Sequence, residues 1–386
     1  MMKMMSFPRW CRGVFFSGLI VPCFLLGAAV LAVSAPAALA APAARATDLP
    51  GTPLPASLFG DADRPVRLVD RLDVSVLPPG RHHFAFSGGA DNTGMASLVP
   101  LIVVRGATDG PRLTLTAGVH GDELNGLRVL HRLADVLDPD HLKGSVLMVA
   151  GVNRSGLARG SRYFQSTSSG GHDVDLNRLA PGRITSGDAA ERFMARLWRR
   201  VLADNTSLAI DLHTQTRGTE YPLFVFADFR RQAVRDMAFQ LAPDMIKNDG
   251  GQDGTVETAF MDLGVPAVTF EIGAPKRFQD RLVGRALEGI RNVMRGQGLL
   301  DGPVTRAEQR PVTGDSFTNV TTPTGGIVVV DVALGQKVAR GDRLARLFNP
   351  FGEEIRTFSA PVAGHVVARA TDPLREPGAM LVRLLH

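Results

Sequence analysis

Hydrophobic and polar positions follow two periods along this chain. Residues 98–104 and 112–119 predict strands; in the second, Leu113, Leu115, Ala117 and Val119 alternate with Thr114, Thr116 and Gly118. A helix is expected next, because Leu124, Leu127, Leu130, Ala134 and Leu137 recur every three or four positions. Apolar runs at 146–152, 208–212, 223–227 and 267–272 predict further strands, and helical patterns fall at 189–202, 230–241 and 277–295. Strands alternating with helices predict an α/β fold: a mixed, largely parallel sheet flanked by helices, over residues 66–300. In such sheets chemistry collects just past the carboxyl ends of the strands.

After Gly298 the pattern changes to short strands and turns. Pro323-Thr-Gly-Gly326-Ile-Val-Val resembles Pro361-Val-Ala-Gly364-His-Val-Val at an offset of 38 residues, and each half ends on Leu-x-Arg-Leu, at 344–347 and 381–384. Two such halves predict a small C-terminal β-sandwich over 311–386, similar to a biotinyl/lipoyl-type barrel. Carrier domains of that kind need a lysine at a hairpin tip. The only lysine here, Lys337, sits beside Gly335 rather than between the halves, so the expected role is packing or substrate gating.

The other end reads as a signal peptide over residues 1–40. Lys3, Arg9 and Arg12 precede an apolar stretch at 14–33, and Ala38-Leu39-Ala40 is a small-x-small cleavage site, with Ala44-Arg45-Ala46 as a second option. Pro22 and the Ala/Pro-rich sequence that follows argue against a retained anchor, and no later run is long enough to span a bilayer. Residues 41–65, rich in Ala, Pro and Asp, read as a linker. A periplasmic or secreted protein is therefore expected. Cys11 and Cys23 both lie in the leader, so no thiol would serve as nucleophile, ligand or staple in the mature chain.

Composition adds little beyond a globular class: 45% of residues are hydrophobic and 21% charged. The net charge of +5 falls to +2 without the three leader cations, and no basic stripe with interleaved aromatics occurs. Nucleic-acid binding is excluded on that ground. Neither a G-x-S-x-G elbow nor a G-x-x-x-x-G-K-[ST] loop is present, which disfavours serine-hydrolase and nucleotide chemistry.

Four short motifs carry candidate chemistry. In Gly118-Val-His120-Gly-Asp-Glu123 a histidine ends a strand and a carboxylate enters the first turn of the next helix, a bend able to offer zinc two ligands. Ile210-Asp211-Leu212-His213 ends another strand with a second histidine, and Asp211 is either a partner that orients a ligand or an ordinary strand-end carboxylate. The other histidines, His82, His83, His131, His141, His172 and His365, are expected at the surface. Asp173-Val-Asp175-Leu-Asn177-Arg178 joins an amide to a guanidinium fork suited to a carboxylate, and Arg162 offers a second cation. Glu271 emerges from the apolar strand Thr269-Phe-Glu271-Ile-Gly273, where a buried carboxylate requires a partner, either a salt bridge or a metal-bound water.

Taken in order, His120-Gly-Asp-Glu123, Asp175-Leu-Asn-Arg178, Asp211-Leu-His213 and Phe270-Glu271-Ile-Gly273 resemble the succinylglutamate desuccinylase/aspartoacylase family, a branch of the zinc carboxypeptidase-like hydrolases. The resemblance covers roughly residues 98–295, and the small C-terminal β-domain fits the family's layout. It implies one zinc per chain held by His120, Glu123 and His213, with Glu271 as general base and acid. It also implies that Asn177 and Arg178 hold a substrate carboxylate and that Arg162 polarises the scissile carbonyl. Two departures stand out. The stretch from Arg162 to Asp175 is long and Ser/Gly-rich, and the C-terminal region lacks the tyrosine that aspartoacylases place against substrate. The resulting expectation is an exported zinc amidohydrolase acting on a small carboxylate-bearing amide, an N-acyl amino acid or peptide. A carboxypeptidase trimming cell-wall peptides and a non-catalytic binding protein on the same fold are the alternatives. Oligomeric state is left open by the sequence.

Overall fold

A computed structural model of the chain describes residues 49–60, 63–166, 173–305 and 309–386; the leader and its cleavage site lie outside them. The apolar runs of the sequence form the middle of an 11-stranded sheet. There Lys143–Ala150, Thr108–Ala117, Leu208–His213 and Ala267–Ile272 lie side by side, all parallel. Ala96–Arg105 and Leu223–Ala227 flank this group as antiparallel neighbours. The sheet is thus mixed, with a parallel centre.

The parallel strands are rich in apolar residues because both of their faces are covered, and the polar Thr114, Thr116, Asp211 and Thr269 within them are buried too. Leu113, Leu115, Ile210, Leu212, Val268 and Phe270 are all fully buried. The helix Asn125–Val136 presents Val129, Leu130 and Leu133 to the core, and Asp280–Gly296 presents Val283, Ala286, Ile290 and Val293. The helix Ala189–Leu197 starts on a capping box, Asp188 with Glu191, and continues as a π turn, Trp198–Leu202, whose Trp198 packs on Phe260.

Three sequence expectations need correction. The supposed linker is folded in its described part, since Thr52–Leu54 pairs antiparallel with Val66–Val69 and Arg67 Nε donates to the Pro50 carbonyl at 3.0 Å. The early segment holding His82 is a long strand, Gly80–Ala90, and His82 is buried with its Nε2 2.8 Å from the Pro78 carbonyl. Glu123 precedes the first turn of its helix, because the chain stays in a turn through residue 123 and the helix begins at Asn125.

The C-terminal residues form two small sheets. One joins Gly364–Ala370, Met380–Leu385 and Phe317–Thr321, and the other joins Glu354–Ser359, Arg343–Phe348, Gly326–Val330 and Leu374–Arg375. Both are antiparallel, with Leu344, Leu347, Val366, Leu381 and Leu384 buried between them. The boundary with the large-sheet region is interwoven. Val312–Gly314 adds to the edge of the large sheet beside Met245–Asn248, while Thr219–Glu220 pairs with Gly364–Ala370. Among the described residues no helix is long and apolar enough to cross a membrane.

Gly121 lets the turn after Thr108–Ala117 lie on the helix Arg154–Arg159. A Cβ there would stand 2.1 Å from the Gly156 carbonyl carbon and 2.2 Å from Leu157 N. Gly121→Ala should therefore cost about 1–3 kcal/mol by overpacking. Thermal denaturation checks this: an unchanged Tm would mean the contact relaxes freely.

Candidate metal centre

Three strand ends assemble the site. Beyond Ala117 the chain leaves the sheet through Gly118, whose φ of 71° is left-handed, and turns so that His120 and Glu123 face back over the strand ends. His213 closes Leu208–His213. The parallel register sets Glu271 opposite His213 and Thr269 opposite Asp211, so the period of two brings all four to one face. The Asp175–Arg178 segment arrives from a loop, with Asp175 capping the 3-10 turn Leu176–Arg178 by accepting from Asn177 N at 2.9 Å.

All seven residues singled out in the sequence, His120, Glu123, Arg162, Asn177, Arg178, His213 and Glu271, line one cavity of about 370 Å³. A larger hollow of about 410 Å³ beside Ala189–Leu197 has one carboxylate, Asp91, and no histidine. Chemistry, rather than volume, picks out the site.

At its floor, His120 Nδ1 and His213 Nδ1 are 3.0 Å apart, and each lies 2.9 Å from an oxygen of Glu123. The far ring nitrogens are occupied as well. His120 Nε2 lies 3.0 Å from Asp175 Oδ1, and His213 Nε2 lies 2.7 Å from Asp211 Oδ2, whose other oxygen accepts from Thr116 at 2.6 Å. If each Nε2 carries the proton given to its aspartate, both Nδ1 lone pairs point at one spot beside a carboxylate. That arrangement is repulsive unless a cation sits among them. The donor set therefore fits a metal ion: two imidazoles and a carboxylate, each imidazole oriented by an aspartate behind it. Tetrahedral zinc would hold such atoms about 3.3 Å apart, a few tenths of an ångström wider than here.

Electrostatics follow from burial. Desolvation opposes charge on Glu123, but the two imidazoles outweigh it and hold the carboxyl well below the usual carboxylate range. Burial likewise opposes charge on His213, yet Asp211 and Glu123 raise it well above an ordinary histidine. Asp175 is held low against its own burial by the hydrogen bond and charge of His120 and by Arg162. Arg162 bridges the group, its Nη1 donating to Glu123 at 2.9 Å and its Nη2 to Asp175 at 3.3 Å.

Glu271 differs. Burial pushes its carboxyl up to about 8, and Oε2 has no partner within the protein. Asn177 is largely committed to structure: its Oδ1 accepts from Val256 N at 3.0 Å, while Nδ2 stands 3.5 Å from His213 Nε2. Arg178 is exposed at the cavity edge and donates to the Asn177 carbonyl at 2.6 Å.

Four residues in or behind the cavity wall escaped the sequence reading. Asp175 lay inside a quoted motif, but nothing local tied it to His120, 55 residues away. Glu257 is buried, accepting from Thr269 at 2.6 Å through one oxygen and leaving the other unpartnered. In sequence it resembles an ordinary first-turn glutamate of the helix Val256–Asp262. Phe317 and Arg383 come from the C-terminal sheet and carry no motif.

A parallel-centred α/β sheet with a buried His–Glu–His cluster past its strand ends defines an α/β protein with a metal-type site. Residues 109–297 match the family described as the succinylglutamate desuccinylase/aspartoacylase catalytic domain. The N-alpha-acetyl-L-2,4-diaminobutyric acid deacetylase of Halomonas elongata is 26% identical over 66% of this chain and 75% of its own length. The succinylglutamate desuccinylase of Pseudomonas paraeruginosa is 30% identical over 53% of this chain and 62% of its own length. Among solved structures, the product-bound ectoine utilization protein EutE (DoeB) of Ruegeria pomeroyi superposes with a TM-score of 0.70 at 25% identity, covering 80% of this chain and 97% of that one. The chain belongs to the succinylglutamate desuccinylase/aspartoacylase family.

Glu257 gives a pH test. Burial, with Asp211 and Asp249 adding to it, lifts its carboxyl to about 8, above an unfolded glutamate near about 4.3. The folded state then holds the extra proton between those limits, so this group's stabilising contribution is lost as pH rises toward about 8. In chelator-treated protein, Glu257→Gln should gain on wild type by more than about 1 kcal/mol between about pH 5 and about pH 8. A difference in denaturation free energy that stays constant over that range would show that Glu257 is ionised throughout.

Proposed function

We propose that this protein is an exported zinc hydrolase that cleaves the amide bond of N-acyl amino acids bearing a free carboxylate. The observation that carries the reading is the convergence of two imidazole Nδ1 atoms and the Glu123 carboxylate on one point, in a cavity that also holds the unpartnered oxygen of Glu271. The names of the relatives add the chemical class, since one removes acetyl and the other succinyl from an amino acid. Export rests on the leader sequence alone.

In this reading His120, Glu123 and His213 hold the zinc, which when bound supplies Lewis acidity for water and for the scissile carbonyl. The remaining steps belong to the chain. Asn177 and Arg178 grip the substrate's free carboxylate, the guanidinium giving the planar fork and the full charge. Glu271, kept basic by burial, takes a proton from the attacking water as the new C–O bond forms. Arg162 donates to the oxyanion while the carbonyl is tetrahedral. Glu271 then returns the proton to the nitrogen as the C–N bond breaks, releasing an amine and a carboxylic acid. Asp175 and Asp211 keep both imidazoles in the tautomer that leaves Nδ1 free for the metal.

Two variants separate holding the metal from doing the chemistry. His213→Ala should lose the zinc measured in purified wild type, about one per chain, whereas Glu271→Gln should keep it and lose at least about a hundredfold in kcat. Full zinc content in the first variant, or near-normal turnover in the second, would overturn that residue's assignment.

Carboxylate recognition is tested by kcat/KM on an N-acyl amino acid and on its α-amide. Arg178 is exposed in the free protein, but a charge-assisted pair that the bound substrate covers from water is worth about 2–5 kcal/mol, so the wild type should favour the acid by at least about thirtyfold. Arg178→Lys should lose much of that preference with zinc still bound. Equal rates on acid and amide in the wild type would remove Arg178 from substrate binding.

A further inference from the structure

We propose that Glu257 is a specificity-determining residue that reads an ammonium group at the end of the substrate's amino-acid side chain; this rests on the hydrolase reading above. Glu257 stands in the first turn of the helix Val256–Asp262, a place where a glutamate ordinarily stays in water. Here it is turned inward, only 4% exposed, and lines the same cavity as His120, His213 and Glu271. Its Oε2 accepts from the Thr269 hydroxyl at 2.6 Å, and its Oε1 has no partner within the protein. An orphaned carboxyl oxygen at that depth is costly, and a ligand that brings a donor to it removes the cost.

Charge decides which donor fits. Among the described residues no ion pair reaches Glu257, and the nearby charges are chiefly those of two acids, Asp211 and Asp249, with His213 a smaller opposing influence. Together with burial they push its carboxyl up to about 8, so in the empty cavity it holds a proton. An arriving ammonium lets that proton go to solvent and leaves a carboxylate paired with a cation. A second metal ion fits less well, because among the described residues Glu257 joins no group of three metal-ligating side chains.

Position decides which part of the substrate carries the cation. Asn177, assigned above to the substrate's free carboxylate, accepts from the backbone N of Val256 at 3.0 Å, so it is bonded to the residue just before Glu257. Thr269 lies on the same strand face as Glu271, two residues earlier and roughly 7 Å further from the strand's carboxyl end. Glu257, held by Thr269, is therefore set deeper than the base and beside the carboxylate site. In an N-acyl amino acid the group that branches beside that carboxylate is the side chain, whereas the acyl group lies across the scissile bond. The substrate class is an N-acyl diamino acid.

The test takes the Nα-acetyl derivatives of α,γ-diaminobutyrate, ornithine and lysine, each against that of its apolar isostere, norvaline, norleucine or α-aminoheptanoate. Wild type should favour the ammonium member of at least one pair by about thirtyfold or more in kcat/KM. Glu257→Gln keeps the shape without the charge and should bring that ratio to within about threefold of unity. Glu257→Asp keeps the charge and should hold the ratio above about tenfold in at least one pair, since a longer side chain makes up the lost methylene. Zinc content and Tm report whether each variant folds. A wild type indifferent to the ammonium in all three pairs, a preference that survives in Glu257→Gln, or one that vanishes in a folded Glu257→Asp overturns the proposal. Absence of turnover on all six compounds would count against the hydrolase reading instead. Calorimetric binding of the same compounds to wild type and variants then decides this proposal by the same ratios.

Discussion

Everything at the site follows from burying Glu123, which is 1% exposed, in the interior of a protein. A carboxylate moved out of water without compensation costs several kcal/mol, and the chain supplies compensation from every side. His120 and His213 face its two oxygens, Arg162 adds a guanidinium, and the backbone of Thr214 donates at 2.9 Å. Each compensating group is then compensated in turn, the histidines by Asp175 and Asp211 and the arginine again by Asp175. Among the described residues, the buried side-chain atoms of this cavity left without a hydrogen-bond partner are Glu271 Oε2, Glu257 Oε1 and Gln215 Nε2. A half-satisfied buried network is costly, so unpartnered atoms gathered in one cavity mark where something from outside the chain belongs.

Sheet topology makes this compensation affordable in structural terms. Parallel strands finish at the same edge, so Ala117, His213 and Ile272 end together, and short connections can drop polar groups there without opening the core. Below that edge the sheet is apolar on both faces. It forms a stiff floor that fixes the imidazoles through their backbones, whereas Arg162 and Arg178 come from short helices, turns and loops above it. Rigid metal donors and more adaptable substrate contacts are therefore divided between two kinds of element.

Much of this was legible in the sequence, for physical reasons that also explain the gaps. Apolar runs named most of the central strands because both of their faces are buried, and the alternation of Leu113 and Leu115 with Thr114 and Thr116 named another. The motif histidines stood out because each ends such a run. By contrast, the strand Gly80–Ala90 was hidden by His82 and His83, whose polarity is absorbed by a carbonyl and by partial exposure. Thr52–Leu54 was hidden among Ala and Pro because an edge strand needs few apolar residues. Asp175, Glu257 and Arg383 meet His120, Thr269 and Tyr221 at separations of 55, 12 and 162 residues, through contacts that local pattern cannot encode.

The C-terminal sheets are best understood as part of the site's wall rather than as an appendage. Thr219–Glu220 leaves the catalytic region a few residues after His213 and is taken up as an outer strand by Gly364–Ala370. Arg369 seals that junction on Glu220, and Tyr221, the next residue, reaches Arg383. The segment running from a metal-type histidine to a strand of the second sheet is therefore only seven residues long and is pinned at both ends. A wall held that tightly cannot act as a distant tether. Any group it carries into the cavity, Arg383 included, keeps a fixed position relative to the histidines.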